Sequence, residues 1–163
     1  MLVSAALGVY AIDTTVGSTS QLPSIVAKPV DGSGPTLMAV HPIAPNPADL
    51  TGWRSDLAWL AHTCVGDNVI MAGDFNSTID HYAHLTHAPG ATIGDCADAA
   101  LATGNGAVGS WPTSVPALLG TPIDHVMATK NWQVTGMRVI QSQDAAGSDH
   151  RPILAQLTPV SKD

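Results

Sequence analysis

The chain has 163 residues, 45% hydrophobic and 12% charged, so it is too apolar for a disordered segment, too lightly charged for a coiled coil and about the size of one domain. A formal net charge of -7, with only 6 Lys and Arg scattered along the chain, argues against a basic surface for nucleic acid. All 13 acidic residues are Asp, and Glu is absent.

Residues 1–10 suit a strand, and no positive charge precedes Lys28, which makes a poor signal peptide. A second strand over 24–30 ends at the turn Asp31-Gly32-Ser33-Gly34. A third, 36–41, stops at Pro42. The run 41–47 cannot be regular, because its prolines lack N–H donors. Over 49–63, Trp53, Leu57, Leu60 and Ala61 fall on one helical face, with Asp49 as a cap. The apolar run 69–72 suits a strand covered on both faces. Short helices are expected at 80–85 and 95–102, a Gly- and Pro-rich loop at 104–120, and strands at 123–129, 132–142 and 153–157. Strands with few helices between them point to an α+β fold with mixed, largely antiparallel pairing. The longest uncharged stretch, 99–123, is broken by Pro112, Pro116 and Pro122, so no membrane span is expected.

Four features set a reactive side chain at a strand boundary. They are His41, the pair Asp74 and Asn76, Asp124, and Asp149-His150. If the strands holding them run antiparallel to their neighbours, the end of one meets the start of the next, and all four converge on one sheet edge. Carboxylates gathered without Lys or Arg repel one another unless a cation neutralises them. Hard oxygen donors without thiolates favour Mg2+ or Mn2+ over zinc. Taken singly, these residues also suit turns, caps and strand ends.

Other residues read differently. His125 follows Asp124 in a strand and so points to the opposite face, which suits a structural role. His81, His84 and His87 share no recognisable ligand spacing with a carboxylate or Cys, and a solvated helix face is the default. Trp53 and Trp59 suit the core. Trp111, in its Pro- and Gly-rich loop, is a candidate lining of a substrate cleft. Arg151, beside Asp149-His150, is a candidate phosphate contact or a surface residue. Cys64 and Cys96 allow one disulfide or two buried thiols. A disulfide would imply an oxidising, extracytoplasmic setting.

The stretches 69–77 (VIMAGDFNS), 123–126 (IDHV) and 147–153 (GSDHRPI) resemble three ordered motifs of the endonuclease/exonuclease/phosphatase superfamily, the deoxyribonuclease I-like proteins. Residues 40–42 (VHP) resemble a fourth, and the resemblance spans about 36–157. It implies part of a four-layer α/β/β/α sandwich and a phosphoester hydrolase dependent on Mg2+ (or Mn2+). By position, Asp74 would orient or deprotonate the attacking water, and Asn76 would hold that water or a phosphate oxygen. Asp124 would lie next to the phosphate and metal. Asp149 would bind metal or pair with His150, and Asp74 is the other implied metal ligand. His150 would act as a base or stabilise developing charge, and His41 would donate to the phosphate side.

Two departures stand out. The family's early strands carry an Asn and a metal-binding Glu, and neither is present here. Family domains also run to roughly 250 residues, whereas this chain has 163. The chain 1–163 is therefore expected to be one unit, the C-terminal two-thirds of such a domain, with weak metal binding and little activity on its own. Expected partners are a phosphoester substrate (a small molecule, lipid head group or nucleic acid) and a second copy paired through an exposed sheet edge. The acidic balance leans towards the smaller substrates. The expected setting is extracytoplasmic, or anchored to a membrane through an N-terminal region not included here. The competing expectation is a non-catalytic extracytoplasmic binding module that keeps the fold.

Overall fold

A computed structural model describes residues 1–161. Its main sheet has six strands in the order β1-β2-β3-β4-β6-β5: β1 (Tyr10–Ile12), β2 (Ile25–Pro29), β3 (Thr36–Val40), β4 (Val69–Asp74), β5 (Ala97–Asp98) and β6 (Asp124–Ala128). Only β3 and β4 run parallel, and the other pairs are antiparallel. The parallel pair needs a crossover, which α1 (Leu50–Thr63) supplies. A two-stranded ribbon, β7 (Trp132–Val139) with β8 (Ile153–Pro159), contacts β6. The result is a mixed α/β arrangement with few helices. No helix of the described residues is long and apolar enough to cross a membrane.

The register shows how the core forms. Val26, Met38, Met71 and Met127 stand directly opposite one another across β2, β3, β4 and β6. Alternation puts such partners on one face. That face packs against Trp53, Leu57, Leu60 and Ala61 of α1, all buried. Asp49 caps the helix, its carboxylate accepting from the Gly52 N–H at 3.0 Å. Asp56, on the buried stripe of α1, was not anticipated. Its carboxylate accepts from the N–H groups of Ser20 (2.8 Å) and Ile43 (3.0 Å). It thereby fastens the proline-rich run after β3 to the helix.

Three expected elements differ. Within 1–10 there is no long strand: Ser4 caps a 3-10 turn at Ala5–Leu7, and only Tyr10–Ile12 finds a partner, in β2. The helix expected at 80–85 is a single 3-10 turn, Ile79–Tyr82. The helix expected at 95–102 is reduced to one turn, α2 (Ala99–Ala102), because Ala97 and Asp98 pair with Ala128 and Met127 instead. A long-range ladder outweighed local helix preference there.

Cys64, which ends α1, is bonded to Cys96, which leads into β5; their Cα atoms are 6.0 Å apart and both side chains are buried. The two segments are also joined by backbone, with the Asp95 N–H donating to the Cys64 carbonyl at 2.8 Å. Gly94 sits between them with φ +55, where an added Cβ would meet the carbonyls of Cys64 and Ala61. Closing a loop with a sequence separation of 32 is worth about 4 kcal/mol in restricted unfolded-state entropy. Reductant should therefore lower the urea midpoint by a corresponding amount, and iodoacetamide should label neither Cys before reduction. Labelling of the unreduced folded chain would contradict the bond.

Candidate active site

Three strand ends meet at one rim. In the β4–β6 ladder Asp74 is paired with Asp124, and in the β3–β4 ladder Gly73 is paired with Val40. His41, one residue beyond Val40, thus stands level with Asp74. Alternation turns Asp74 and Asp124 away from the face that α1 covers. The close approach depends on Gly73, where an added Cβ would run into the Val40 carbonyl oxygen.

The side chains form a connected set. His150 Nδ1 lies 2.8 Å from Asp124 Oδ2, and its Nε2 lies 3.9 Å from Asp74 Oδ2. His41 Nε2 approaches the same Asp74 oxygen at 3.6 Å. Asp74 Oδ1 accepts the Asn76 N–H at 2.8 Å. Asn76 has φ 46, a left-handed conformation that Asn tolerates better than most residues. Its Nδ2 donates to the Pro42 carbonyl at 2.9 Å, and its own carbonyl accepts from Trp53 Nε1 at 3.2 Å. Asp124 is placed by Ser110, whose hydroxyl oxygen accepts the N–H groups of Ile123 (3.2 Å) and Asp124 (3.1 Å).

Electrostatics follow from this crowding. Burial raises the pKa of Asp74, and the charge of Asp124 adds to it, against the lowering effect of the Asn76 N–H and of His150 and His41. For His150, burial is the largest single effect and lowers the pKa. The Asp124 hydrogen bond and the charges of Asp124, Asp74 and Asp149 together outweigh it, so the net shift is upward. An ionised Asp124 fixes the neutral tautomer of His150 with its proton on Nδ1, which leaves Nε2 facing the rim.

His41, Asp74, Asn76, Asp124 and His150 are thus brought together. Asp149 is turned elsewhere: its carboxylate accepts from Trp111 Nε1 at 3.0 Å, and this bond holds its pKa below the usual carboxylate range. The carboxylate partner of His150 is Asp124, not Asp149. The expectation for Arg151 is corrected. Its side chain is buried, and all five N–H donors are engaged. Nε and one terminal nitrogen hold Asp144 at 2.9 and 2.8 Å, and the remaining donors reach the carbonyls of Gly109, Pro112 and Val115. No donor remains for a phosphate. Arg151 instead ties the 109–115 loop, and Trp111 with it, to the segment before β8.

Three residues of this framework carried no sequence signal: Asp56, Ser110 and Asp98. Asp98 pairs with His125 (2.7 Å), whose Nε2 lies 3.0 Å from the Ser77 carbonyl, behind the rim. His81 is spent on Thr78, 3.0 Å from its N–H.

The oxygen and imidazole groups of the rim suit a hard divalent cation in kind. They do not suit one in number, because among the described residues no three His, Cys, Asp or Glu side chains are grouped to hold a metal ion.

The mixed sheet, backed by a helix on one face and flanked by a β-ribbon, places the protein among α/β sandwiches. The chain belongs to the Endonuclease/Exonuclease/phosphatase family, whose family model it matches over residues 7–150. Solved structures similar to it include an endonuclease/exonuclease/phosphatase from Beutenbergia cavernae, at 16% identity and TM-score 0.64, covering 93% of this chain and 45% of that one. A humanized D. rerio TDP2 matches at 18% identity and TM-score 0.66, covering 91% of this chain and 66% of that one. The 3′ phosphatase NExo from Neisseria, bound to a product DNA hairpin, matches at 17% identity and TM-score 0.64, covering 91% and 70%. These likenesses show the fold. The chain spans less than half of the Beutenbergia structure. Among curated proteins, none matches it in sequence.

Two measurements check the site. Replacing Asp124 by Asn should lower the His150 pKa, read by NMR titration, because both Asp124 contributions vanish while burial remains; an unmoved titration would refute the pairing. Arg151→Lys should cost about 3 kcal/mol in urea unfolding, because it leaves buried carbonyls and Asp144 short of donors. A loss under 1 kcal/mol would count against the clamp.

Proposed function

We propose that this chain carries the reaction centre of a phosphoester hydrolase. The single observation that carries the reading is the Asp124–His150 pair, whose free Nε2 faces the half-buried carboxylate of Asp74 across the rim. The family, and the similar Neisseria structure described as a 3′ phosphatase, support the same reading.

The chemistry follows from the protonation states. Asp74, made more basic by burial and by Asp124, accepts the proton of the attacking water. Protonated His150 donates from Nε2 to a phosphate oxygen, while its Nδ1–H stays on Asp124. Charge on that oxygen grows in the transition state, so this bond strengthens there. His41, on the other side of Asp74, donates to the phosphate or to the leaving oxygen. Asn76 holds Asp74 in place through its backbone N–H.

Dependence on Mg2+ or Mn2+ belongs to the proposal and is supported by the family and by the oxygen-rich rim. The described residues do not by themselves assemble a ligand set for the ion. An extracytoplasmic setting is supported by the Cys64–Cys96 bond.

The test is hydrolysis of bis(p-nitrophenyl) phosphate with millimolar Mn2+. Asp74→Asn and His150→Gln should each lower the rate by about 100-fold or more. The pH profile should be a bell. It rises as Asp74 ionises, above the usual carboxylate range because its pKa is raised. It falls as His150 loses its proton, above its ordinary 6.5 because its pKa is raised too. The reading fails if both variants keep the wild-type rate. It also fails if the wild type shows no catalysis and inorganic phosphate leaves the His150 resonances unmoved.

A further inference from the structure

The phosphoester reading leaves undefined the organic group on the far side of the ester. A pocket of about 400 Å3 opens beside the rim. Its walls are Ala44, Pro45, Trp111 and Ile123, and its polar end is formed by Asn76 and His150, the residues that border the reacting groups. No Lys, Arg, Asp or Glu lines it among the described residues. Three of the chain's cations are committed elsewhere: Lys28 to Asp13, Lys130 to Asp67, and Arg151 to Asp144. A second phosphate would find no counter-charge in these walls, and it would face the Asp residues of the rim in a chain of net charge -7.

The apolar wall is held ready. The Trp111 indole N–H is already spent on Asp149 at 3.0 Å, and the ring is 39% exposed. What it offers a ligand is therefore its π-face and edge rather than a hydrogen bond. Its backbone pairs with Thr121, closing the loop between them, and the Arg151 donors grip that loop from inside. A pocket of mostly apolar lining with a few convergent polar groups is what seats an apolar group next to a reacting one.

We infer that the pocket bordered by Trp111, Ile123, Ala44 and Pro45 seats an uncharged apolar arm, alkyl or aryl, of the phosphoester whose phosphorus lies at the His150–Asp74 rim. The inference rests on the phosphoester reading and deepens it. The favoured substrate carries one phosphate and an apolar group, not a polyanionic strand.

The test uses phosphonates, whose P–C bond is not the one hydrolysed, so binding is read without turnover. Methylphosphonate, hexylphosphonate and naphthylmethylphosphonate are titrated into the chain while the His150 and Trp111 NMR signals are followed. The hexyl or naphthylmethyl compound should bind at least about tenfold more tightly than the methyl one, as burial of the extra apolar surface requires. A gain from hexyl alone identifies an alkyl arm, and a gain from naphthylmethyl alone identifies an aryl arm. A six-nucleotide thymidine oligomer should not displace either. Trp111→Ser should erase the preference for the hexyl or naphthylmethyl compound over methylphosphonate; the wild-type series stands without this variant should it fail to fold. Equal affinity for all three phosphonates, or displacement by the oligomer, overturns the apolar arm and leaves the phosphoester reading intact. Phosphonates that leave His150 unmoved overturn both.

Discussion

Two carboxylates stand directly opposite each other where β4 and β6 meet, and the rest of the rim answers that fact. Like charges on paired strand positions destabilise a ladder. Asp74 and Asp124 occupy such a pair. The structure relieves the repulsion at Asp124 and leaves it standing at Asp74. His150 takes Asp124 at 2.8 Å and, when protonated, neutralises it. Asp74 keeps a raised pKa, so its charge is held at a cost. That cost is the source of its basicity, because a carboxylate comfortable in its ion pair would be a poor proton acceptor.

Holding such a pair requires a stiff surround, and the surround is built from polar groups buried with their partners satisfied. Asp56 anchors the chain after His41, Ser110 anchors the start of β6, and Arg151 anchors the loop that bears Trp111. Each sits on a different element, so the rim is fixed from the helix side, from the loop side and from the segment before β8. Left unpartnered, each would carry the full desolvation cost of a buried polar group. Local loosening of the rim would therefore break bonds that have no replacement in solvent-poor surroundings.

The strands that frame the rim were legible because their apolar runs have abrupt boundaries: β3 stops before Pro42, β4 stops at Gly73-Asp74, and β6 starts at Asp124. The motif residues His41, Asp74, Asn76, Asp124 and His150 were legible as a set, and the geometry groups them. What escaped notice depends on contacts between residues far apart in the chain. Asp56 looks like any polar residue of a helix until the loop after β3 folds onto it. Arg151 stands next to the reactive His150, and neighbourhood in sequence suggested a phosphate contact. The chain ahead of β8 instead turns the adjacent side chains apart, and the guanidinium ends among carbonyls of a loop some forty residues away. Residues 95–102 looked helical because their Ala-rich local preference is real; pairing with β6 overrode it at Ala97 and Asp98.

Among the described residues two Asp–His pairs have nearly the same geometry, and comparing them isolates what leaves one of them open to a ligand. His125 lies 2.7 Å from Asp98 and His150 lies 2.8 Å from Asp124. Asp124 and His125 are neighbours in β6, so alternation sends them to opposite faces of the sheet. His125 goes to the covered face, among Phe75 and Tyr82, with its second nitrogen committed to the Ser77 carbonyl. It has no free nitrogen and no access, and its work is to fasten the loop after β4 to β5 and α2. His150 keeps 29% of its side chain exposed, and the nearest acceptor to its Nε2, the Asp74 carboxylate, is 3.9 Å away, beyond hydrogen-bond length. An unspent nitrogen, open to a ligand and paired behind with a carboxylate, is what proton and charge transfer to phosphate requires. The same two side-chain types therefore serve as a strut on one face of β6 and as an open pair with an uncommitted nitrogen on the other, and the pleat of a single strand decides which is which.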